Sequence, residues 1–415
     1  MAAVRSKAKR GSKARPPDHP LEHRMLLTVT MCLLAAGAVM VYSASSARDL
    51  LAGGGDGTGY LLRYVGFGAI GVVLMHVLSK RGLEVVRRYT PLLLVISFVL
   101  LFAVLLPGIG VEVNGAKRWI GVGSVSFQPS ELAKLALVLY ATELLGSRRR
   151  IRSIKAGAPV VLVAGVMALL VAVEPDLGTA LVIAGTTTAL LVAAGVPLRH
   201  LAVAAAVVAG LVAIFALLEP YRRARLTSFL DPWAHAGGAG FQSVQGQIAL
   251  GSGGLFGVGL GQSVQKIFYL PEAHTDFILA VIGEEFGVLG VSVILALYGM
   301  LAWAGTRAAR VAKGAYAKLL AIGLTALILC QAALNVFAVL GLAPLTGVPL
   351  PFVSYGPSNL IVLLAAMGLL LNIAAGGTAH MQVVSGGRRS GASASRAASG
   401  SSGPSGSRRA GTGTP

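Results

Sequence analysis

Apolar positions fall in long runs rather than in strict alternation, and the runs recur from Met25 to Ile373. A run of about 18 or more uncharged residues is long enough to cross a bilayer core as a helix. On this basis the sequence predicts about ten spans: Met25–Ala44, Tyr60–Leu78, Pro91–Pro107, Ser130–Leu145, Ala158–Val173, Leu177–Ala194, Leu201–Leu218, Phe277–Ala304, Leu319–Leu340 and Asn359–Ile373. The fold class that follows is all-α, a polytopic membrane protein with large extracellular loops. Residues 1–20 are basic and carry Pro16 and Pro17, and residues 376–415 are rich in Gly, Ser and Arg. Neither end has the apolar content to fold, so both are expected to be disordered around one membrane domain, residues 21–375. The first span follows a basic stretch but lacks a convincing small-residue cleavage site, and is expected to stay as an uncleaved helix.

Composition agrees with this pattern. The chain is 55% hydrophobic and 12% charged, with a mean hydropathy of +0.76; soluble domains carry about 25% charged residues. The net charge of +19 sorts by topology. Basic residues gather before the first span (Arg5 to Arg15), in the second connection (Lys80, Arg81, Arg87, Arg88), in the fourth (Arg148 to Lys155), in the sixth (Arg199) and in the eighth (Arg307, Arg310, Lys313). Those are alternate connections on one side, which predicts that both termini are cytoplasmic. No recognition motif accompanies the charge, so nucleic-acid binding is excluded. Cys32 and Cys330 lie inside apolar runs and read as packing residues. His19 and His23 have Pro20 between them and no further ligand, so no zinc site is expected.

Two outer connections, about 108–129 and 219–275, are long enough to expect function of them. They hold cations against the charge rule: Lys117 and Arg118 in the first, Arg222, Arg223, Arg225 and Lys266 in the second. These suit an anionic ligand, lipid headgroups or loop carboxylates. The second ends in Tyr269-Leu-Pro-Glu-Ala-His-Thr-Asp-Phe277, which sets Asp276 at the mouth of an apolar run. A carboxylate there is a candidate functional group and equally an ordinary helix cap. Glu131 and Lys134, three apart, share a helix face, either as an ion pair or with Lys134 on a phosphate. Asp176, in Glu174-Pro-Asp-Leu-Gly-Thr179, either caps the next helix or faces the same outer cavity. Glu284 and Glu285 lie deeper and require partners in the protein interior. Gln331 and Asn335 suit interhelical hydrogen bonds. Residues 241–250 have a rough helical spacing suited to an interface helix. Six glycines between Gly251 and Gly261 allow the backbone to turn or to approach a ligand closely.

The motifs, taken in order, resemble those of the SEDS family of polytopic cell-wall proteins, and its cell-division (FtsW) branch more than its elongation (RodA) branch. They are Met40-Val-Tyr-Ser-Ala-Ser45, Asn114-Gly-Ala-Lys-Arg-Trp-Ile120, Gln128-Pro-Ser-Glu-Leu-Ala-Lys134, Pro175-Asp-Leu-Gly-Thr179, Arg225-Leu-Thr-Ser-Phe-Leu-Asp-Pro-Trp233, the run ending at Phe277, and Pro349-Leu-Pro-Phe-Val-Ser-Tyr-Gly356. Pro357-Ser-Asn359 departs from the family's usual Gly-Ser-Ser. The resemblance implies a peptidoglycan glycosyltransferase that polymerises lipid II at the outer face of the cytoplasmic membrane during septal cell-wall synthesis. It implies Asp276 as the catalytic acid residue, with supporting roles for Arg118, Glu131, Lys134 and Asp176. Its partners would be a class B penicillin-binding protein (an FtsI-like transpeptidase), other divisome proteins and membrane lipids. A diphosphate leaving group needs its charge neutralised, which Lys117, Arg118 and Lys134 or a divalent cation, Mg or Mn, would supply. The rival expectation is a lipid II flippase, which needs polar groups through the full membrane depth rather than a carboxylate at the outer surface.

Overall fold

Among the described residues of the computed structural model, six helices are long and apolar enough to cross a membrane. The structure describes residues 20–376 apart from 52, 54–55, 114–115, 123–124, 148–153, 200, 239 and most of 203–227. The described elements are α1 (Leu21–Leu51), α2 (Gly59–Lys80), α3 (Leu83–Leu105), β1 (Gly110–Val113), β2 (Ala116–Val122), β3 (Val125–Phe127), α4 (Pro129–Gly146), α5 (Ile154–Val173) and α6 (Leu177–Ala193). They continue with α7 (Phe241–Ser252), α8 (Gln265–Phe268), α9 (Ile278–Val311), α10 (Ala315–Val339) and α11 (Pro357–Ala374). The six long apolar helices are α1, α2, α3, α9, α10 and α11; α5 and α6 contribute shorter apolar stretches. Helix α4, 18 residues long, carries Glu131, Lys134 and Glu143 within its length. Most of the expected span Leu201–Leu218, the basic N-terminal stretch and the C-terminal tail lie outside the described residues.

Helix α11 is the buried axis of the membrane domain, with nearly every side chain from Ser358 to Ala374 enclosed. Its closest partner is α2, and the approach depends on glycine. A Cβ on Gly71 would lie 2.4 Å from Leu364 Cδ1, and one on Gly368 would lie 2.5 Å from the Met75 carbonyl. Small residues at facing positions let apolar helices come close enough for dispersion contacts to hold them. Local sequence sets several helix starts. Pro129 and Pro357 occupy first-turn positions, where a missing N–H costs nothing. Asp176 caps α6, accepting from the Thr179 amide at 3.0 Å.

Two features depart from the pattern reading. The first outer connection is not a plain loop but a three-stranded antiparallel meander, β1-β2-β3. Gly110 pairs with Ile120, Glu112 with Lys117 and Ile120 with Phe127, with a bulge between Val111 and Glu112. The alternation Val111-Glu112-Val113 followed by Asn114-Gly115 is a hairpin signature, though the turn dipeptide itself lies outside the described residues. The other departure is in α9, which breaks at Gly287 (φ 66, ψ −162).

A break in an apolar helix strips backbone groups of their partners, and in lipid each orphan costs several kcal/mol. The glycine-rich segment before α8 supplies the replacements. Val258 and Gly259 amides donate to the Glu284 and Glu285 carbonyls at 3.0 Å, and the Val288 and Leu289 amides donate back to Gly254 and Leu255 at 2.9 and 3.2 Å. A Cβ on Gly257 would lie 2.1 Å from the Glu285 carbonyl, at φ +80. The close approach anticipated for these glycines is therefore made to the protein's own backbone. Gly257→Ala is expected to destabilise the fold by about 3 kcal/mol through overlap and backbone strain. A thermal unfolding curve of the purified variant in detergent, matching wild type, would refute this account of the loop.

Candidate active site

Asp276 sits one residue before the N-cap of α9, which is Phe277 and has no side-chain cap bond. The capping role weighed for Asp276 is therefore not the one it fills, because the helix starts two residues later, at Ile278. The carboxylate is half-buried, and its Oδ1 accepts from the Thr275 hydroxyl at 3.2 Å. Its backbone is pinned from below: Asn335 on α10 donates one amide group both to the Asp276 carbonyl at 2.7 Å and to the Val348 carbonyl at 2.8 Å. Two outer segments, 271–277 and 346–352, are thereby held side by side.

Gly347 occupies the open ground between the candidate groups. A Cβ built there would lie 3.9 Å from Asp276 Oδ2 and 3.9 Å from Arg118 Nη1, so the carboxylate and the guanidinium face one small space. Gly347 is exposed, at φ +66, and any side chain at that position would intrude between them. Arg118 comes from β2, so the meander delivers the cation. Lys117, its neighbour, is exposed and stands opposite Glu112 in the sheet register.

Asp176 is buried, at 3% exposure, on the turn that packs against the Gly347 segment. Its Oδ2 accepts from Gln128 Nε2 at 3.0 Å and from the Thr179 hydroxyl at 2.8 Å, so it is both a helix cap and a tie to the strand-to-α4 corner. The turn after it packs tightly on the Gly347 segment, since a Cβ on Gly178 would lie 2.4 Å from Val348 and 2.6 Å from the Thr346 carbonyl.

Glu131 and Lys134 are placed differently from the rest. Both are buried, at 2% exposure. Lys134 Nζ bonds Glu131 Oε1 at 3.0 Å and Gln331 Oε1 at 2.8 Å; Asn359 donates to Glu131 Oε2 at 2.8 Å, and Gln331 donates onward to the Pro349 carbonyl at 3.1 Å. The ammonium is occupied inside the helix core, not presented at the mouth, and its network ends on the same 346–352 segment. Gln331 thus makes the interhelical bond expected of it, to Lys134 on α4, and also bonds loop backbone, whereas the two Asn335 bonds go to loop carbonyls. The turn that follows is strained: buried Phe352 takes φ 64, with the Tyr64 hydroxyl donating to its carbonyl and the Tyr298 hydroxyl to that of Pro351. A bulky residue in the left-handed region persists only where its surroundings over-determine it.

The deeper acids find partners. Glu285 pairs with Lys266 Nζ at 2.6 Å and accepts from the Ser43 hydroxyl at 2.7 Å. Glu284 accepts from the Ser263 hydroxyl and from the Val264 amide at 3.0 Å. Lys266, counted above among the outer cations, is 3% exposed; it neutralises a broken helix and is not available to a ligand. On the other flank of Asp276, His274 stacks within 4.4 Å of Tyr60 and 5.6 Å of Tyr355 between ring centres. Burial raises the Tyr355 phenol, with Arg63 opposing.

Several buried polar atoms near this mouth have no hydrogen-bond partner: Arg118 Nε, both Glu174 carboxyl oxygens, Thr346 Oγ1 and Asn335 Oδ1. Such groups are rare in folded proteins and are a mark of polar ligands or ordered water. Among the described residues no three His, Cys, Asp or Glu side chains converge, so the donor set does not form a protein-built cage for Mg or Mn, and no chemical step is derived through one.

The buried pair makes a direct prediction. Lys134→Met should cost about 3–5 kcal/mol, because it strands the Glu131 carboxylate. The double variant Lys134→Met with Glu131→Gln should recover much of that loss. Thermal unfolding of the three proteins checks it, and a single variant as stable as wild type would rule the pair out as a structural element.

The chain matches the FtsW/RodA/SpoVE family of cell cycle proteins over residues 23–378. It is 41% identical over 353 residues to the stage V sporulation protein E of Bacillus subtilis, covering 84% of this chain and 96% of that one. It is 41% identical over 357 residues to a probable peptidoglycan glycosyltransferase FtsW of Trichlorobacter lovleyi, covering 85% and 93%. Among solved structures, it is similar to a chain of a peptidoglycan synthase complex that coordinates polymerisation and crosslinking, at a TM-score of 0.70, 30% identity and coverage of 84% and 96%. It is also similar to the rod shape determining protein RodA of Thermus thermophilus, at a TM-score of 0.61, 29% identity and coverage of 84% and 95%.

Proposed function

This chain belongs to the FtsW/RodA/SpoVE family, and from that premise we infer that it is a peptidoglycan glycosyltransferase whose chemistry is carried by Asp276 and Arg118. The observation behind the assignment is their shared position at Gly347, with one acid and one cation on either side of an exposed glycine. Polymerisation joins two lipid-anchored sugars. A hydroxyl oxygen of the acceptor attacks the anomeric carbon of the donor as the bond from that carbon to the diphosphate oxygen breaks. Asp276 takes the hydroxyl proton, and the lipid diphosphate leaves with the bonding electron pair. A diphosphate needs little protonation to depart but does need its growing charge met, and a fixed guanidinium is suited to that, with two donors held in one plane.

The remaining residues hold this pair in place. Asp176 fixes the Gln128 corner beneath β2, from which Arg118 projects. Glu131, Lys134 and Gln331 brace the Pro349 turn, while Asn335 clamps Asp276 to Val348. In this reading Lys134 is a positioning residue rather than a phosphate ligand, and Lys117, exposed next to Arg118, is the second cation for the diphosphate. Near-attack geometry for two long lipid substrates demands such rigidity, since small displacements cost large factors in rate. The flippase alternative is less well supported, because the polar groups at depth are taken up by the protein instead of lining a path: Ser43, Lys266 and Glu285 bond one another, and Glu284 accepts from Ser263 and the Val264 amide.

The same reading sets the surroundings. The substrate is lipid II and the membrane is the cytoplasmic one, with both termini inside and the active mouth outside, as the alternate basic connections support. The solved neighbour from a peptidoglycan synthase complex supports a crosslinking partner, for which we propose a class B penicillin-binding transpeptidase within the divisome at the septum.

Asp276→Asn should lower lipid II polymerisation by at least about 100-fold, the least expected from losing a general base, with thermal stability and co-purification of the transpeptidase unchanged. Reconstitution with fluorescent lipid II and gel separation of the glycan chains reads this out. Chains made at the wild-type rate would remove Asp276 from the mechanism. Arg118→Ala should raise KM for lipid II by about 10- to 100-fold, as loss of a charge-assisted contact does.

A further inference from the structure

Glu174 takes no part in the chemistry above, yet its environment is unfavourable to charge. It is 1% exposed, and neither carboxyl oxygen has a hydrogen-bond partner. An ionised carboxylate so placed costs several kcal/mol, and the usual escape is to keep the proton. The groups that act on it can be named. Burial is the largest influence, Asp176 on the same turn adds repulsion, and Arg118 from β2 opposes both, leaving the acid pushed up to about 8. Helix α6, the outer half of α3 from Pro91 onward and residues 343–348 contribute no ionisable side chain. On α4 the outer charges, Glu131 and Lys134, are closed on each other.

Arg118 is the mirror image. Its Nε is buried and without a partner, while its Nη1 is turned to the Gly347 space it shares with Asp276. Two unsatisfied groups of opposite sign thus feel one another without forming an ion pair. We propose that Glu174 is a positioning residue that works as a neutral acid, leaving the Arg118 guanidinium uncompensated for the substrate's diphosphate, and that on ionising it competes with the diphosphate for that guanidinium. The proposal rests on the assignment of Arg118 to the diphosphate. Its sign follows from the direction of the shift: a carboxyl raised to about 8 is protonated at neutral pH and loses its proton as pH climbs through that value, so substrate binding weakens on the alkaline side.

The test is steady-state lipid II polymerisation by the full-length protein with its transpeptidase in nanodiscs, followed from about pH 6.5 to about pH 9. In wild type, KM should rise about tenfold across the range, the order expected for losing one charge contact, with kcat changing much less. In Glu174→Gln, a neutral isostere, KM should remain low and nearly flat. Should Glu174→Gln keep the alkaline rise in KM, or show a high KM already at pH 7, the proposal is overturned while the Arg118 assignment stands. An Arg118→Ala variant with unchanged KM would overturn that assignment and this proposal together. A second measurement needs no variant to fold: pH-difference infrared spectra of the wild-type protein should show a protonated carboxyl band that titrates near 8, and its absence would also overturn the proposal.

Discussion

One side-chain amide holds the outer half of this protein together. Asn335, buried in α10, gives its N–H groups to the carbonyls of Asp276 and Val348. Neither carbonyl belongs to regular structure, and a backbone acceptor away from water without a donor costs as much as a lost hydrogen bond. The clamp therefore satisfies an obligation and sets a distance at once. With it in place, the loop bearing Asp276 and the loop bearing Gly347 cannot part, and the Asp276 carboxylate faces the space that Arg118 also faces.

The same logic recurs wherever the membrane domain departs from plain helix. Gln331 supports the Pro349 carbonyl, tyrosine hydroxyls support those of Pro351 and Phe352, and the glycine-rich segment supports the break at Gly287. Irregular backbone is tolerated at membrane depth only where protein supplies its partners. Here the polar residues spent on that task are the ones a sequence reader would first suspect of chemistry: Lys134, Lys266, Glu131, Glu284 and Glu285. Their burial and pairing make a rigid platform, and the reacting groups on top of it are few.

Rigidity at that place has a chemical use. A transferase working on two lipid-anchored substrates gains little from groups that must reorganise during reaction, and much from a carboxylate and a guanidinium already turned to one space. The unpartnered atoms of Arg118, Glu174, Thr346 and Asn335 mark where that platform is left open to polar company.

The helices could be read from the chain because lipid permits little else: a long apolar run has to satisfy its own backbone, so length and hydropathy located α1 to α6 and α9 to α11, although α3 starts at Leu83 rather than Pro91 and α1 and α9 run on past Ala44 and Ala304, to Leu51 and Val311. The cap at Asp176 and the candidacy of Asp276 were also legible, the first from local hydrogen-bond chemistry and the second from a carboxylate beside an apolar run and a family resemblance. Three things were decided only in three dimensions. The meander between Gly110 and Phe127 was only half signalled: Asn114-Gly115 after Val111-Glu112-Val113 marks its first hairpin, but strands this short leave a weak periodic signal and only the fold adds the third. The fate of Lys134 and Lys266, both turned inward, depended on which acids the folded helices brought within reach. The meeting of Arg118 with Asp276 at Gly347 joins segments far apart in the chain, and no local propensity records a contact between residues that only packing makes neighbours.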